Sequence, residues 1–146
     1  FIWSRGGPPS EPEAPVLARV TRTAAALAGP GPAPLAVGQG LVAGPLDLTH
    51  GVAELRFASG AVALLQGPCS VRLDGPDSLT LLAGRAVVRA DHFVVRTAAA
   101  TVTDLGTEFG VGVGPDGVTQ VQVFEGSVVA EWDGRDGRRV AGGEAV

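Results

Sequence analysis

From Gly44 onward a glycine returns every seven to nine residues, at Gly44, Gly51, Gly60, Gly67, Gly75 and Gly84, and this interval constrains the fold most. Each interval holds one short strand between two breaks. Val52-Ala53-Glu54-Leu55-Arg56-Phe57 and Val71-Arg72-Leu73-Asp74 alternate apolar with charged side chains, the pattern of a strand with one wet face. Strands are predicted at Pro45–Leu48, Val52–Phe57, Ala61–Gln66, Cys69–Leu73, Ser78–Leu82 and Arg85–Arg89. Five more follow at Phe93–Thr97, Thr101–Leu105, Thr107–Val113, Val118–Phe124 and Val128–Trp132. No extended helical period appears after residue 35. The class is all-β; the spacing alone leaves a sandwich, a barrel and a coil of short rungs open.

Composition agrees. Of 146 residues 45% are apolar, chiefly Val, Leu and Ala in short runs, and 22 Gly with 11 Pro punctuate them. That length supports one domain with one core, without help from a disulfide or a metal. Cys69 is the single cysteine, so no intrachain disulfide can form. Every basic residue is Arg, and Lys, Asn and Tyr are missing, which reads as the bias of a GC-rich genome. A net charge of −4 offers no basic face to offset phosphate repulsion, so nucleic acid is excluded as a partner.

The sequence contains no Met and reads as a fragment of a longer chain. Phe1-Ile2-Trp3 followed by Ser4-Arg5-Gly6-Gly7 resembles the interfacial end of a transmembrane helix. The stretch GGPPSEPEAP from Gly6 to Pro15 has nothing to bury and is expected as an extended spacer. Residues 1–15 are therefore assigned to a membrane-helix end with its linker, and residues 16–146 to the β-domain. Val16–Leu27 could be a short helix by its Ala content, but two Thr and the outward alternation of Arg19 and Arg22 favour a strand that opens the domain, and GPGPAP at residues 29–34 breaks any regular structure.

The densest local signal lies between Thr101 and Val129. Thr101-Val102-Thr103-Asp104-Leu105 alternates, Gly106-Thr107 interrupts, and Phe109, Val111 and Val113 restart the period of two. Pro115-Asp116-Gly117 marks a hairpin turn, and Glu125-Gly126 marks another. Asp104 and Glu108 flank the corner. There Gly106 is expected to adopt a dihedral barred to other residues, while Asp104 or Thr107 bonds exposed backbone amides. Asp104, Gly106, Thr107, Glu108 and Phe109 are thus a structural corner and a candidate partner contact, with a cation site as the lesser alternative.

Catalytic and cofactor patterns carry less. Gly38-Gln39-Gly40-Leu41-Val42-Ala43 fits a loose dinucleotide fingerprint, but a Gly-Pro turn follows where a helix is required. Gly110, Gly112 and Gly114 read as close backbone packing and not as a phosphate loop. His50, Cys69 and His92 lack paired metal-ligand spacing, and Cys69 reads as a small buried thiol. Asp91 and His92 are read as adjacent strand residues facing opposite ways, and no G-x-S-x-G elbow exists. No catalytic residue, cofactor or metal is expected.

The segments LRFASGAVALLQGPCSVRL, LTLLAGRAVV, FVVRTAAATVTDLGTEFGVGV and VTQVQVFEGSVVAEW closely resemble the FecR domain, as does the closing AGGEAV. The most specific pieces are Gln66-Gly67-Pro68, Phe93-Val94-Val95-Arg96-Thr97, Asp104-Leu105-Gly106-Thr107-Glu108-Phe109 and Val123-Phe124-Glu125-Gly126-Ser127-Val128. The resemblance implies a twisted, solenoid-like stack of short strands on the outer, periplasmic side of the cytoplasmic membrane, anchored by a single span. It implies a non-enzymatic anti-sigma regulator that binds a protein partner and signals to an extracytoplasmic-function sigma factor through a cytoplasmic segment. In familiar members that partner is the signalling domain of an iron transporter. GPCSV, VTDLGTEFGV and VFEGSV are more similar to the planctomycete-type branch, where an adjacent carbohydrate-binding or laminin-G-like domain is common. A cell-surface module supporting such a domain is the alternative. His92 stands where the family often has a small residue, which implies a differently shaped turn.

Overall fold

The structure, a computed structural model, describes residues 15–29, 33–132, 138–141, 143 and 145–146. Its strands in chain order are β1 (Ala18–Gly29), β2 (Ala33–Pro34), β3 (Gly40–Leu41), β4 (Gly44–Phe57), β5 (Val62–Gly75) and β6 (Ser78–Ala90). Then come β7 (Val94–Arg96), β8 (Ala100–Asp104), β9 (Thr107–Val113), β10 (Thr119–Glu125), β11 (Ser127–Trp132) and β12 (Arg138–Ala141). All belong to one hydrogen-bonded sheet, with no helix among the described residues, so the class is all-β. β1 takes up Ala18 to Leu27 of the predicted opening strand and runs on to Gly29, while Ala33–Pro34, expected to be irregular, pair with it as β2. The membrane-helix end and spacer expected at residues 1–15 fall, apart from Pro15, outside the described residues. Among those described, no helix is long and apolar enough to cross a membrane.

One expectation is overturned. The six short strands between Gly44 and Arg89 are three long ones, of 14, 14 and 13 residues. Only Gly60 and Gly75 stand at chain reversals. Gly51, Gly67 and Gly84 lie inside β4, β5 and β6, where the ladders skip register between Leu48 and Val52 and between Gln66 and Ser70. On the adjoining β1 the register shifts beside Ala25, which has φ 51°. Four neighbouring strands therefore bulge in one row, and the sheet has a crease. Glycine is needed there because the backbones nearly touch: a Cβ on Gly84, at φ +96°, would stand 2.6 Å from the Pro68 carbonyl oxygen and 2.7 Å from Cys69 Cα.

The crease turns the sheet back on itself. A straight 14-residue strand spans about 45 Å. Yet the turn before β5 and the turn after it touch, the Ser59 N–H donating to the Pro76 carbonyl at 3.3 Å. With no helix to cover it, the apolar face is covered by the sheet's own other half. Leu55, Leu65 and Val88 from one side of the crease join Val71, Leu79 and Leu81 from the other in a single buried cluster. Phe57 and Phe93 meet edge to face with centroids 4.9 Å apart and help close it.

The sheet also divides at β6. Its first residues pair in parallel with β7, leading to β8, β11 and β12, whereas Gly84 to Ala90 pair with β9, leading to β10. The chain's final residues join the two branches. After β12 pairs with β11, Val146 and Val121 exchange both backbone hydrogen bonds at 2.7 Å, and Gly143 N–H donates to the Val123 carbonyl at 2.9 Å. The edge of β10 is thereby covered.

Gly84→Ala is expected to lower unfolding free energy by about 2–4 kcal/mol, since backbone strain and a backbone clash coincide. Gly112→Ala, whose Cβ would meet nothing nearer than 3.9 Å, should shift it by no more than about 0.5 kcal/mol. Urea midpoints of the two variants that fall together would refute the crease.

Candidate binding cleft at the mouth of the folded sheet

Opposite the crease, where the strand ends converge, an open cleft of about 660 Å³ lies between the turns. Ser59 and Gly60 come from the turn before β5, Asp77 from the turn before β6, and Asp91 and His92 from the bend before β7. Gly106, Thr107 and Glu108 form one wall, and Glu125 at the end of β10 closes the side. The floor follows from strand register. Arg56 on β4 pairs with Val62, Val62 with Arg89, Arg89 with Glu108, and Glu108 with Glu125. This row crosses five strands and places two guanidinium groups beside two carboxylates.

Pairing is selective. Arg22 holds Glu54 and Arg72 holds Asp74, each at 2.8 Å. Among the described residues no ion pair engages Arg56 or Arg89, although Arg89 and Glu108 are register partners and four carboxylates line the cleft.

The corner beneath this cleft divides the residues singled out from the sequence. Gly106 has φ +94° with open space where a Cβ would be, as the turn requires. Its N–H donates to Asp104 Oδ1 at 2.8 Å, the side-chain-to-amide bond expected of Asp104. The N–H of Asp104 donates to the Phe93 carbonyl at 2.8 Å, and the N–H of Leu105 to the Ser127 carbonyl at 3.1 Å, so the corner is pinned to two neighbours. Thr107 does not share the capping work: its Oγ1 and the second Asp104 oxygen are buried without a hydrogen-bond partner among the described residues. Phe109 is fully buried and belongs to the core. Gly106, Thr107 and Glu108 line the cleft; Asp104 lies under it.

Burial pushes the Asp104 carboxyl up to about 6; the Gly106 N–H opposes the rise, nearby Asp91 adds to it, and His92 opposes it. Cys69 is buried and free, with burial raising its thiol to about 11, an inert packing group. His50, Cys69 and His92 do not form a metal cluster, and no other His, Cys, Asp and Glu group of that kind occurs among the described residues. The Gly38–Ala43 stretch makes a turn and the short β3, with no helix after it.

Asp91 and His92 correct the sequence reading. They occupy a bend, where side chains need not alternate, and both line the cleft. Ser59 shares that cleft, but its Oγ accepts from the Ala61 N–H at 3.4 Å, and no hydrogen bond couples it to His92 among the described residues. The sequence reading missed Arg56, Asp77, Arg89 and Glu125. For Arg56, Arg89 and Glu125 the signal is the cross-strand row, visible only once β6 is paired with β9; Asp77 comes from the turn before β6.

The FecR protein family model matches residues 47–129, more than half of the chain, and the chain belongs to that family. The matched stretch contains β5 to β10 and with them most of the cleft. Two crystal structures of a candidate anti-sigma factor from Parabacteroides distasonis are similar in fold, with TM-scores of 0.60 and 0.59 and 22% identity. Each comparison covers 69% of this chain and 52% of the other, so the chain spans about half the length of those relatives. Comparison with curated proteins finds no match.

The Asp104 carboxyl sits above its ordinary 3.8 in the folded state, so its neutral form favours folding. That contribution is complete below 3.8 and is lost as pH rises through about 6. Stability should therefore increase between pH 7.5 and 5, by about 1 kcal/mol, and Asp104→Asn should flatten the profile. Urea midpoints across that pH range check it; an unchanged profile in Asp104→Asn would refute the assignment. Gly106→Val should cost about 2 kcal/mol through backbone strain, whereas Glu108→Ala should stay within about 0.5 kcal/mol of the parent. If thermal melting finds both silent, the corner is not structural.

Proposed function

We propose that this domain is the extracytoplasmic, partner-binding part of a single-pass membrane regulator that controls an extracytoplasmic-function sigma factor. The observation that carries the reading is FecR membership across residues 47–129, the strands that build the cleft. The shared fold with a candidate anti-sigma factor supports it as well. The cleft is open, charged and rimmed by turns, and such a site suits recognition of a polypeptide better than the enclosure of a small molecule. In this reading the domain does no chemistry. A protein partner, such as the signalling domain of an outer-membrane receptor, binds it, and the change in occupancy passes through the N-terminal linker to a cytoplasmic segment that holds the sigma factor. The Asp104 to Phe109 corner stiffens the wall facing that partner.

The test uses the full-length protein in its own cell. Deleting the β-domain should alter transcription of a sigma-dependent reporter at least fivefold. The purified domain, used as bait on a periplasmic extract, should retain a receptor signalling domain. Unchanged reporter output together with retention of glycan in place of protein would replace this reading with that of a cell-surface support module.

A further inference from the structure

Resting on the reading that the domain binds a protein, we infer that the mouth cleft docks an extended segment of the partner carrying a basic side chain close to an acidic one. The basic group sits at the corner, between Asp91, Glu108 and Glu125; the acidic group sits on Arg56 and Arg89.

Three independent observations point to this occupant. The first is charge left unused. The fold pairs Arg22 and Arg72 with carboxylates on its surface, but among the described residues no carboxylate makes a close ion pair with Arg56 or Arg89, Arg56 acting only at longer range on Glu54, which Arg22 already holds. A guanidinium so placed is a fork for an incoming carboxylate. The second is order. The row Arg56, Val62, Arg89, Glu108, Glu125 separates the two signs along one line across the strands, so a bound segment must present its charges in the opposite order. The third is unfilled acceptor capacity. Thr107 Oγ1 is buried, lines the cleft and has no hydrogen-bond partner among the described residues. A buried oxygen left unmatched at a wall of carboxylates calls for a donor, and an ammonium or guanidinium group supplies several. A wholly acidic segment would be repelled at the corner. A wholly basic one would be repelled at Arg56 and Arg89.

The test titrates the isolated chain, labelled with ¹⁵N, against four acetylated and amidated octapeptides at low salt. One carries two Glu followed, after two Gly, by two Lys; the second is its reverse; the third has only the Glu pair; the fourth has only the Lys pair. At least one mixed peptide should bind saturably with shifts confined to the cleft, and each single-sign peptide should bind at least tenfold more weakly. Arg56→Gln with Arg89→Gln, and separately Glu108→Gln with Glu125→Gln, should each weaken the mixed peptide about tenfold while circular dichroism shows an intact fold. Glu131→Gln, outside the cleft, should leave binding unchanged. Lack of saturable binding by either mixed peptide, or equal binding by folded cleft variants, overturns the inference. Failure here is separable from failure of the proposed function. A partner captured equally well by parent and cleft variants removes the docking site and keeps the signalling role. A cleft that binds mixed peptides, in a protein whose deletion leaves the reporter unchanged, removes the signalling role and keeps the site.

Discussion

Everything in this fold depends on a sheet having to cover its own apolar face. No helix is available among the described residues, so the hydrophobic surface of β4, β5 and β6 can leave water only if those strands bend until their two halves meet. The bend requires backbones to approach closely along one row. The Gly84 contact with Pro68 and Cys69 is the tightest described point of that row on the β5–β6 side. Hydrophobic burial supplies the drive, and the absence of a side chain at a few glycines makes the geometry available.

The same crease produces the cleft. Folding long strands back brings both of their ends to one side of the molecule, so turns far apart in sequence become neighbours around a single opening. Ser59 touching Pro76 is the direct trace of this. Turns carry polar residues because they stay hydrated, and the opening is therefore charged without any need for one segment to be charge-rich. The corner at Asp104 shows a further effect of convergence. A carboxylate used to cap a local turn is driven under a wall of other residues, and its proton affinity rises as water is excluded.

Local chemistry was readable from the residues alone. The hairpin at Pro115-Asp116-Gly117 forms as predicted, with the Gly117 N–H donating to the Gly114 carbonyl at 2.9 Å, because turn residues act within a few positions of themselves. Asp104 bonding the Gly106 amide was legible for the same reason. Gly51 and Gly84 read as breaks between short strands because, along the sequence, they look just like Gly60 and Gly75. What separates them is the neighbouring backbone packed against them, which no local window contains. Glu108 was noticed beside its turn, but its place in a row with Arg56 and Arg89 was not. That row needs the register between β6 and β9, and this depends on where the crease falls.

The joining of the two branches by Gly143, Ala145 and Val146 has a consequence for how the domain comes into being. These residues follow every strand they tie together, so during synthesis β9 and β10 are complete while the outer edge of β10 still offers unpaired amides and carbonyls. The nascent domain thus passes through a stage with an open edge, sealed only when Gly143, Ala145 and Val146 dock on β10. Until they dock, that edge is free to pair with a neighbour, and the domain is most exposed to aggregation in this interval.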